Sequence, residues 1–318
     1  MIKKFLYVGL LSTAFLVGSI KDWLNIKKPG TFIYTEQTTL WTETFGHETN
    51  PAILLIHGAG AHRKFWPDSF CKKLAAKNFF VIRFDLRDSG FSQRHSYGSS
   101  KNPTYLFTDM IDDIKAVLDF YGIKKAHIVG HSMGGCLVAG LMAYESDRLL
   151  SATIIGAGDI FTQEEHTALG LPERSQDLVK ELQSYKPWGI HWFDKQILLK
   201  KMKLVHGSYD IDEKLFDEYT KEFYQILHEK PRIKNHAIML FHTKPETLVK
   251  DLKKSPIPAL ILHGTQDALV PYDWGKAVSQ QIRHAQFIPL ESAGHMYCDQ
   301  SLWDTILDSI VLFITQNQ

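Results

Sequence analysis

Continuous apolar runs that end at glycine or at polar residues recur along the chain between residues 52 and 295. Such a run is typical of a strand that is buried on both faces of a sheet. Two runs that precede them, TFIYTEQ and TLWTETFG, instead alternate polar and apolar residues and predict a pair of strands. The buried runs are AILLIHG (52–58), FFVIRFDLRDSG (79–90), KAHIVGHS (125–132), LSATIIGAGD (150–159), PALILHGTQD (258–267) and AQFIPLESAGH (285–295).

Helix-like patterns separate most of these runs, for example DSFCKKLAAKN and TDMIDDIKAVLDFYG. A regular succession of strand, helix and strand predicts an α/β fold with a mostly parallel sheet that is covered by helices on both faces. Ligands bind such sheets at the C-terminal ends of the strands. The polar residues that end the buried runs are therefore expected to lie where a ligand binds.

Residues 161–254 break this rhythm, because they are rich in aromatic and charged residues and show helical spacing without a strand-like run. We expect a helical insertion that covers the strand ends as a lid, and a helical brace without a gating role is the alternative. The predicted organisation is thus an N-terminal segment (1–28), a core (29–160 and 255–318) and the insertion (161–254).

Composition adds mainly exclusions. Hydrophobic residues make up 44% and charged residues 22% of the 318 residues, which is typical of a globular protein and excludes a disordered or fibrous chain. The net charge of +1 without a long basic block argues against nucleic acid as a partner. No HExxH or CxxC motif supports a metal site. Cys71, Cys136 and Cys298 are widely separated and odd in number, so we expect free thiols in or near the core.

The N-terminal sequence MIKKFLYVGLLSTAFLVGSIKDW begins with two lysines, continues without charge over residues 5–20, and returns to charge at Lys21. A charged head followed by an apolar stretch is the layout of a signal peptide, and the stretch is only slightly short for an uncleaved membrane anchor. We therefore expect export or membrane tethering through residues 5–20. A buried or amphipathic helix of a cytoplasmic enzyme is the alternative.

Candidate chemistry centres on the sequence GHSMGG. Gly130, Ser132 and Gly134 match G-x-S-x-G directly between a predicted strand and a helical pattern, which is the setting of a nucleophile elbow. A serine in so tight a turn adopts a strained backbone, and side chains two positions away on either side would collide. Ser132 is therefore predicted to be a nucleophile, and the N–H of Met133, at the start of the helix, is predicted to face a developing oxyanion.

A second loop, IHGAGAHRKFW, leaves the buried strand that begins at residue 52. Its histidine and glycines allow the backbone to pass close to Ser132, so the N–H of Ala59, or alternatively that of Gly60, is predicted to be the second oxyanion donor. His57 is itself a candidate base. We interpret it as structural, because it lies well before the serine in a loop that needs close backbone approach.

The predicted acid and base follow the last two strands. Asp267 comes shortly after the strand ALIL, and His295 lies in a loop after QFIPL. Asp159, which also follows a strand, is the rival acid, but Asp267 lies after the insertion and close to the histidine along the chain. The order Ser132, Asp267, His295 is that of an α/β-hydrolase triad.

From about residue 32 to its end the chain resembles the α/β-hydrolase-fold enzymes through HGAG, FDLRDSGFS, GHSMGG, HGTQDALVP and AGHMY. LWTETFG, WPDSF, VIRFDLRDSGFS and AHIVGHSMGG narrow the resemblance to the branch of aclacinomycin methylesterases and similar small-ester hydrolases. The resemblance covers the core well and the insertion poorly. It implies carboxylesterase-like activity with Ser132 as nucleophile, His295 as base and Asp267 as orienting acid. Arg87 and Ser92 match a loop that in this family usually supports the nucleophile elbow.

The sequence thus predicts a serine hydrolase that cleaves a carboxylic ester, or a related acyl bond, of a small and partly hydrophobic molecule through an acyl-enzyme. It requires neither a metal nor an organic cofactor. Three alternatives remain open, because one triad serves many reactions. They are acyl transfer, carbon–carbon bond hydrolysis, and a catalytically silent scaffold that binds a ligand or a partner protein.

Overall fold

The computed structural model describes residues 30–184, 191–226 and 233–317. The chain divides after Gly30, and the fold described here is that of the unit from Thr31 onward. The strands of this unit are β1 (Thr31–Tyr34), β2 (Thr39–Phe45), β3 (Ala52–Ile56), β4 (Phe80–Asp85), β5 (Ala126–His131), β6 (Leu149–Ile155), β7 (Ala259–Gly264) and β8 (Ala285–Leu290).

Helices of the described residues follow most of the strands, and short 3-10 turns lie at Arg63–Phe65 and Ser146–Arg148. Three helices of the core precede the insertion and two follow it, so helices and strands alternate as the sequence predicts. The helices are α1 (Asp68–Ala76), α2 (Phe107–Phe120), α3 (Met133–Tyr144), α4 (Gln163–Ala168), α5 (Gln176–Gln183), α6 (His191–Val205), α7 (Glu213–Ile226), α8 (Ile233–His242), α9 (Leu248–Leu252), α10 (Tyr272–Gln281) and α11 (Gln300–Gln316).

The eight strands form one sheet in the order β1-β2-β4-β3-β5-β6-β7-β8. β1 and β2 pair antiparallel, β2 and β4 also pair antiparallel, and every later pairing is parallel. The predicted mostly parallel sheet is therefore confirmed. The alternating sequences form the antiparallel edge, whereas the continuous apolar runs form the parallel part, because helices cover both faces there.

β3 shows how the two faces are built, since all five of its residues are buried. Ile53 and Leu55 face a hydrophobic cluster that includes residues of α1 and α11. Leu54 and Ile56 face a second cluster that includes residues of α2 and α3. Alternate side chains of one strand thus serve two cores, which explains why the sequence of the strand shows no polar alternation.

Between β6 and β7 the described residues contain helices and no strand, in keeping with the helical spacing of residues 161–254. α4 to α9 lie in this insertion, and α9 packs against α3 of the core. The predicted signal or anchor segment (1–28) lies outside the described residues, as do residues 185–190 and 227–232 of the insertion. Among the helices described, none has the length and apolar character to cross a membrane.

Candidate active site

Ser132 occupies the sharp turn between β5 and α3. Its backbone has φ 54° and ψ −123°, a conformation that is costly for a residue with a side chain. The turn is held by the Ser132 N–H, which donates to the Ile155 carbonyl 2.8 Å away. A Cβ on Gly130 would collide with the Gly134 carbonyl, and a Cβ on Gly134 would lie 2.8 Å from the His57 oxygen. The two flanking glycines are therefore required sterically, as the sequence motif indicates.

His295 and Asp267 approach this serine from the ends of β8 and β7. The His295 Nε2 lies 3.0 Å from the Ser132 Oγ, and the His295 Nδ1 lies 2.7 Å from the Asp267 Oδ2. Because an ionised carboxylate only accepts, Nδ1 carries the proton and Nε2 is left to accept from the serine hydroxyl. The other oxygen of Asp267 accepts the N–H groups of Leu269 (2.9 Å) and Val270 (2.7 Å). This arrangement can transfer a proton from Ser132 to His295.

The loop after β3 passes directly against Ser132, because a Cβ on Gly58 would lie 2.9 Å from the Ser132 Cβ. Met133 is the first residue of α3, so its N–H has no partner within the helix. In the described part of the chain the Ala59 N–H is likewise not engaged in a hydrogen bond. The Gly60 N–H, the alternative oxyanion donor, instead donates to Nδ1 of His236 at 3.2 Å. Of the predicted donors, the N–H groups of Ala59 and Met133 are thus not occupied by a hydrogen bond among the described residues, whereas that of Gly60 is.

His57 makes hydrogen bonds to its own loop and to the loop after β4, and none to Ser132. Its Nδ1 donates to the Gly58 carbonyl (2.8 Å), and its Nε2 accepts the Leu86 N–H (3.1 Å). Burial lowers the pKa of His57 to about 4 despite the opposing charge of Asp85. The ring is therefore neutral at pH 7 and connects the loop after β3 to the loop after β4.

Two further neutral histidines flank the Ser132–His295–Asp267 chain. His131 donates from Nε2 to the His295 carbonyl at 2.8 Å, and His263 donates from Nε2 to the Val270 carbonyl at 2.9 Å. Burial lowers the pKa of both rings, and for His131 the neighbouring His295 adds to this effect. Neither role was predictable from the sequence, because one histidine occupies a variable position of the elbow motif and the other lies within a predicted strand.

A turn of the insertion holds the loop that carries His295. The N–H of His295 donates to the Val205 carbonyl (2.6 Å), and the N–H of Cys298 donates to Nε2 of His206 (2.9 Å). Four further backbone bonds join the two segments: Met296 N to Val205 O, Gly294 N to His206 O, Ser208 N to Ser292 O, and Asp212 N to Cys298 O. We call residues 205–212 the histidine strap. The sequence carries no motif for it, since all of these bonds except that of His206 Nε2 are made by backbone groups alone.

A buried group of ionic side chains anchors the loop after β3 through Arg63. Arg63 pairs with Asp85 (2.9 Å) and with Glu43 (2.7 Å), and Arg83 donates to the other Glu43 oxygen (2.9 Å). Burial alone would raise the pKa of Glu43, but the two arginines hold it below its ordinary value. The loop that approaches Ser132 is therefore fixed at Arg63 by ion pairs that are desolvated, in which each charge is neutralised by its partners.

The remaining sequence candidates take structural positions. Asp159, the rival acid, accepts from Arg174 with both oxygens (2.8 and 2.7 Å) rather than from His295. Arg87 pairs with Asp113 at 2.6 Å, and the Ser92 hydroxyl donates to the Asp85 carbonyl. The three cysteines are free and buried. No group of metal-ligating side chains occurs within the described residues.

The fold and the comparisons agree on the class. Residues 51–301 match the model of the alpha/beta hydrolase fold family, and the chain belongs to this family. The predicted resemblance to small-ester hydrolases is confirmed by two relatives. Rhodomycin D methylesterase DnrP from Streptomyces peucetius is 30% identical over 288 residues, and rhodomycin D methylesterase DauP from Streptomyces sp. (strain C5) is 30% identical over 286 residues. Each alignment covers 84% of this chain and 92% of the relative.

Solved structures show the same fold at lower identity. An esterase from Rhodococcus sp. ECU1013 superimposes with a TM-score of 0.71 at 20% identity, covering 91% of this chain and all of the esterase (100%). At this identity the likeness concerns the fold alone.

Proposed function

We propose that the chain is a serine hydrolase that cleaves a carboxylic ester, or a related acyl bond, through an acyl-enzyme. The observation that carries the proposal is the hydrogen-bond chain from Ser132 through His295 to Asp267, at 3.0 and 2.7 Å. A serine hydroxyl needs a base within hydrogen-bond reach and an orienting carboxylate behind that base to act as a nucleophile near neutral pH. The family and the two methylesterase relatives support the same reaction type.

The reaction proceeds in two halves. His295 Nε2 takes the proton of Ser132 as Oγ bonds to the carbonyl carbon, and the N–H groups of Met133 and Ala59 stabilise the negative oxygen. The tetrahedral intermediate collapses, the bond to the alcohol oxygen breaks, and that oxygen leaves with the proton from His295. Water then gives a proton to His295, attacks the acyl-serine, and releases the acid while Ser132 regains its proton. No step calls on a metal or organic cofactor.

The substrate class that we propose is a small-molecule ester with an apolar part. Its first support is the pair of relatives named as methylesterases. A second support lies beside the oxyanion loop, where Ile233 of the insertion packs toward Gly60 and remains about half exposed as a residue (47%). An exposed aliphatic side chain beside the oxyanion loop favours an apolar ligand group.

We further propose that residues 161–254 form a cover over the strand ends, set on a core of residues 29–160 and 255–318. Two contacts support this: the histidine strap bonds to the His295 loop, and His236 bonds to Gly60. Both catalytic loops thus contact the insertion, which supports a role for it in shaping the acyl or alcohol pocket.

Replacement of the nucleophile tests the proposal. Ser132→Ala should abolish turnover of p-nitrophenyl acetate and butyrate while circular dichroism remains that of the wild type, because only the attacking atom is lost. A fluorophosphonate probe should label the wild type and not this variant. Ser89→Ala is the matched control, since the Ser89 Oγ also lies 3.1 Å from a histidine nitrogen, that of His57, but donates its proton to the Leu86 carbonyl. Retained turnover in Ser132→Ala, or absent labelling of the wild type, would contradict the proposal, and the second result would favour a silent scaffold.

A further inference from the structure

A histidine of the insertion is hydrogen-bonded to the loop that supplies an oxyanion donor. His236 lies on α8 and is fully buried (0% exposed). Its Nδ1 is 3.2 Å from the Gly60 N–H, and its Nε2 is 2.8 Å from the Arg87 carbonyl. Neither partner belongs to the insertion, so one imidazole ring joins the insertion to two separate loops of the core.

The two partners fix the protonation of this ring. A carbonyl only accepts, so Nε2 carries a proton, and an amide N–H only donates, so Nδ1 presents its lone pair. Burial lowers the pKa of His236, which keeps the ring in this neutral form near pH 7. The ring thus accepts one hydrogen bond at Nδ1 and donates one at Nε2, and both nitrogens have a partner.

The bond to Gly60 acts on a tight turn. The Ala61 N–H donates to the Gly58 carbonyl, which makes Ala59 and Gly60 the central residues of a four-residue turn. Gly60 has φ 68° while Ala59 has a negative φ, the pattern of a type II turn. In such a turn the peptide between the two central residues has two alternative orientations, and the Gly60 N–H belongs to that peptide. An acceptor at His236 Nδ1 selects one of them.

We infer that His236 is a positioning residue that fixes the turn presenting the Ala59 N–H to the substrate oxyanion. The inference rests on the proposed function. On the C-terminal side of Ala59, the peptide group that carries the Gly60 N–H is held by His236. On its N-terminal side, Gly58 packs against Ser132. The Ala59 N–H lies between these two fixed points and therefore has a defined direction. Hydrogen-bond donors stabilise an oxyanion through an orientation that is already fixed before the substrate binds. Loss of this orientation should therefore change kcat more than KM.

Asn235, the neighbouring residue on α8, provides a matched control. It is also buried and also anchors α8 to the core, through Asp88 (2.8 Å), the Ser96 carbonyl (2.9 Å) and the Gly98 N–H (3.0 Å). None of these groups belongs to residues 58–61. A loss of Asn235 thus weakens the docking of the helix without touching the oxyanion turn.

Two polar substitutions of His236 separate its two hydrogen bonds. His236→Asn keeps an acceptor near the position of Nδ1 and loses the reach to Arg87, whereas His236→Gln reaches Arg87 and has no acceptor near Nδ1. We expect His236→Gln to lower kcat by about 10-fold or more, less than the ~10²- to 10³-fold loss on removal of an oxyanion donor, since the donor is still present. We expect KM to stay within about twofold, and the affinity for an alkyl boronic acid, which mimics the tetrahedral intermediate, to fall in parallel with kcat.

We expect His236→Asn and Asn235→Ala to keep kcat and boronic acid affinity near wild-type values, even where their melting temperatures fall. The inference is overturned if His236→Gln keeps the wild-type kcat, or if Asn235→Ala and His236→Asn lose as much kcat as His236→Gln. Ser132→Ala, assayed beside them, separates the two proposals. Turnover by that variant refutes the proposed function, whereas an inactive Ser132→Ala with a fully active His236→Gln refutes the positioning role alone.

Discussion

Lowering the pH from 7 to 5 will destabilise the fold through its buried neutral histidines, and His57 allows this loss to be measured for one group. The His57 ring is fully buried, and its Nε2 accepts the Leu86 N–H. A proton on Nε2 would point at that donor. The pKa of His57 is accordingly lowered by burial to about 4, against an ordinary value of about 6.5 in the unfolded chain.

The sign and size of the effect follow from these two values. The unfolded chain binds a proton on His57 below about pH 6.5, whereas the folded chain binds it only near pH 4. The stability that neutral His57 contributes is therefore complete above about pH 6.5 and is lost as the pH falls toward 4. At pH 5 the unfolded ring is almost fully protonated and the folded ring almost fully neutral, which costs about 2 kcal/mol relative to pH 7.

The assay is urea unfolding at pH 7 and pH 5, followed by circular dichroism. We expect the unfolding free energy of the wild type to fall between these pH values by about 2 kcal/mol more than that of His57→Gln, which has no titrating ring. His47 is exposed and serves as the control, so His47→Gln should show the pH dependence of the wild type. Equal losses in the wild type and in His57→Gln would refute the reasoning, whatever the stability of the variant at pH 7.

Two further predictions concern the carboxylates. Asp267→Asn should lower kcat by about 10⁴-fold, because an amide favours the wrong tautomer of the histidine, and Asp159→Asn should keep activity since Asp159 pairs with Arg174. Steady-state kinetics of the two variants checks this, and equal losses would contradict the assignment of the acid. Glu43→Gln should lower the unfolding free energy by about 3 to 5 kcal/mol, because it leaves two buried arginines without their shared counter-charge. Urea unfolding at pH 7 measures this, and a loss below about 1 kcal/mol would show that the two arginines do not depend on the charge of Glu43.

The parallel sheet was predictable because buried strands impose their own pattern. AILLI carries five apolar residues in succession, and among strands only one that is covered on both faces needs such a run. The positions of Ser132, Asp267 and His295 at strand ends followed from the same runs, since each candidate comes just after one. Their roles as nucleophile, acid and base remain predictions that await the variants described above.

The contacts of the insertion were not predictable, for a physical reason. Apart from the ring of His206, the histidine strap acts through backbone N–H and carbonyl groups, which every residue possesses, so its sequence carries no signature. His236 lies on a helix whose other residues give no hint that one ring reaches Gly60. Such contacts depend on how the insertion docks on the core, and the spacing of hydrophobic residues determines only which face of a helix is buried.

The histidine strap limits how freely the parts of this chain can be exchanged. In a chimera that replaces residues 161–254 as a block, the new segment would bring its own backbone to the loop of His295, and the hydrogen bonds of Val205 and His206 would be lost with the old one. Ser132 would then keep its position, whereas the loop of His295 would lose the hydrogen bonds that hold it. Designs that alter substrate preference should therefore keep residues 205–212 and His236 native, and exchange residues 161–204 and the rest of 213–254 as two separate pieces.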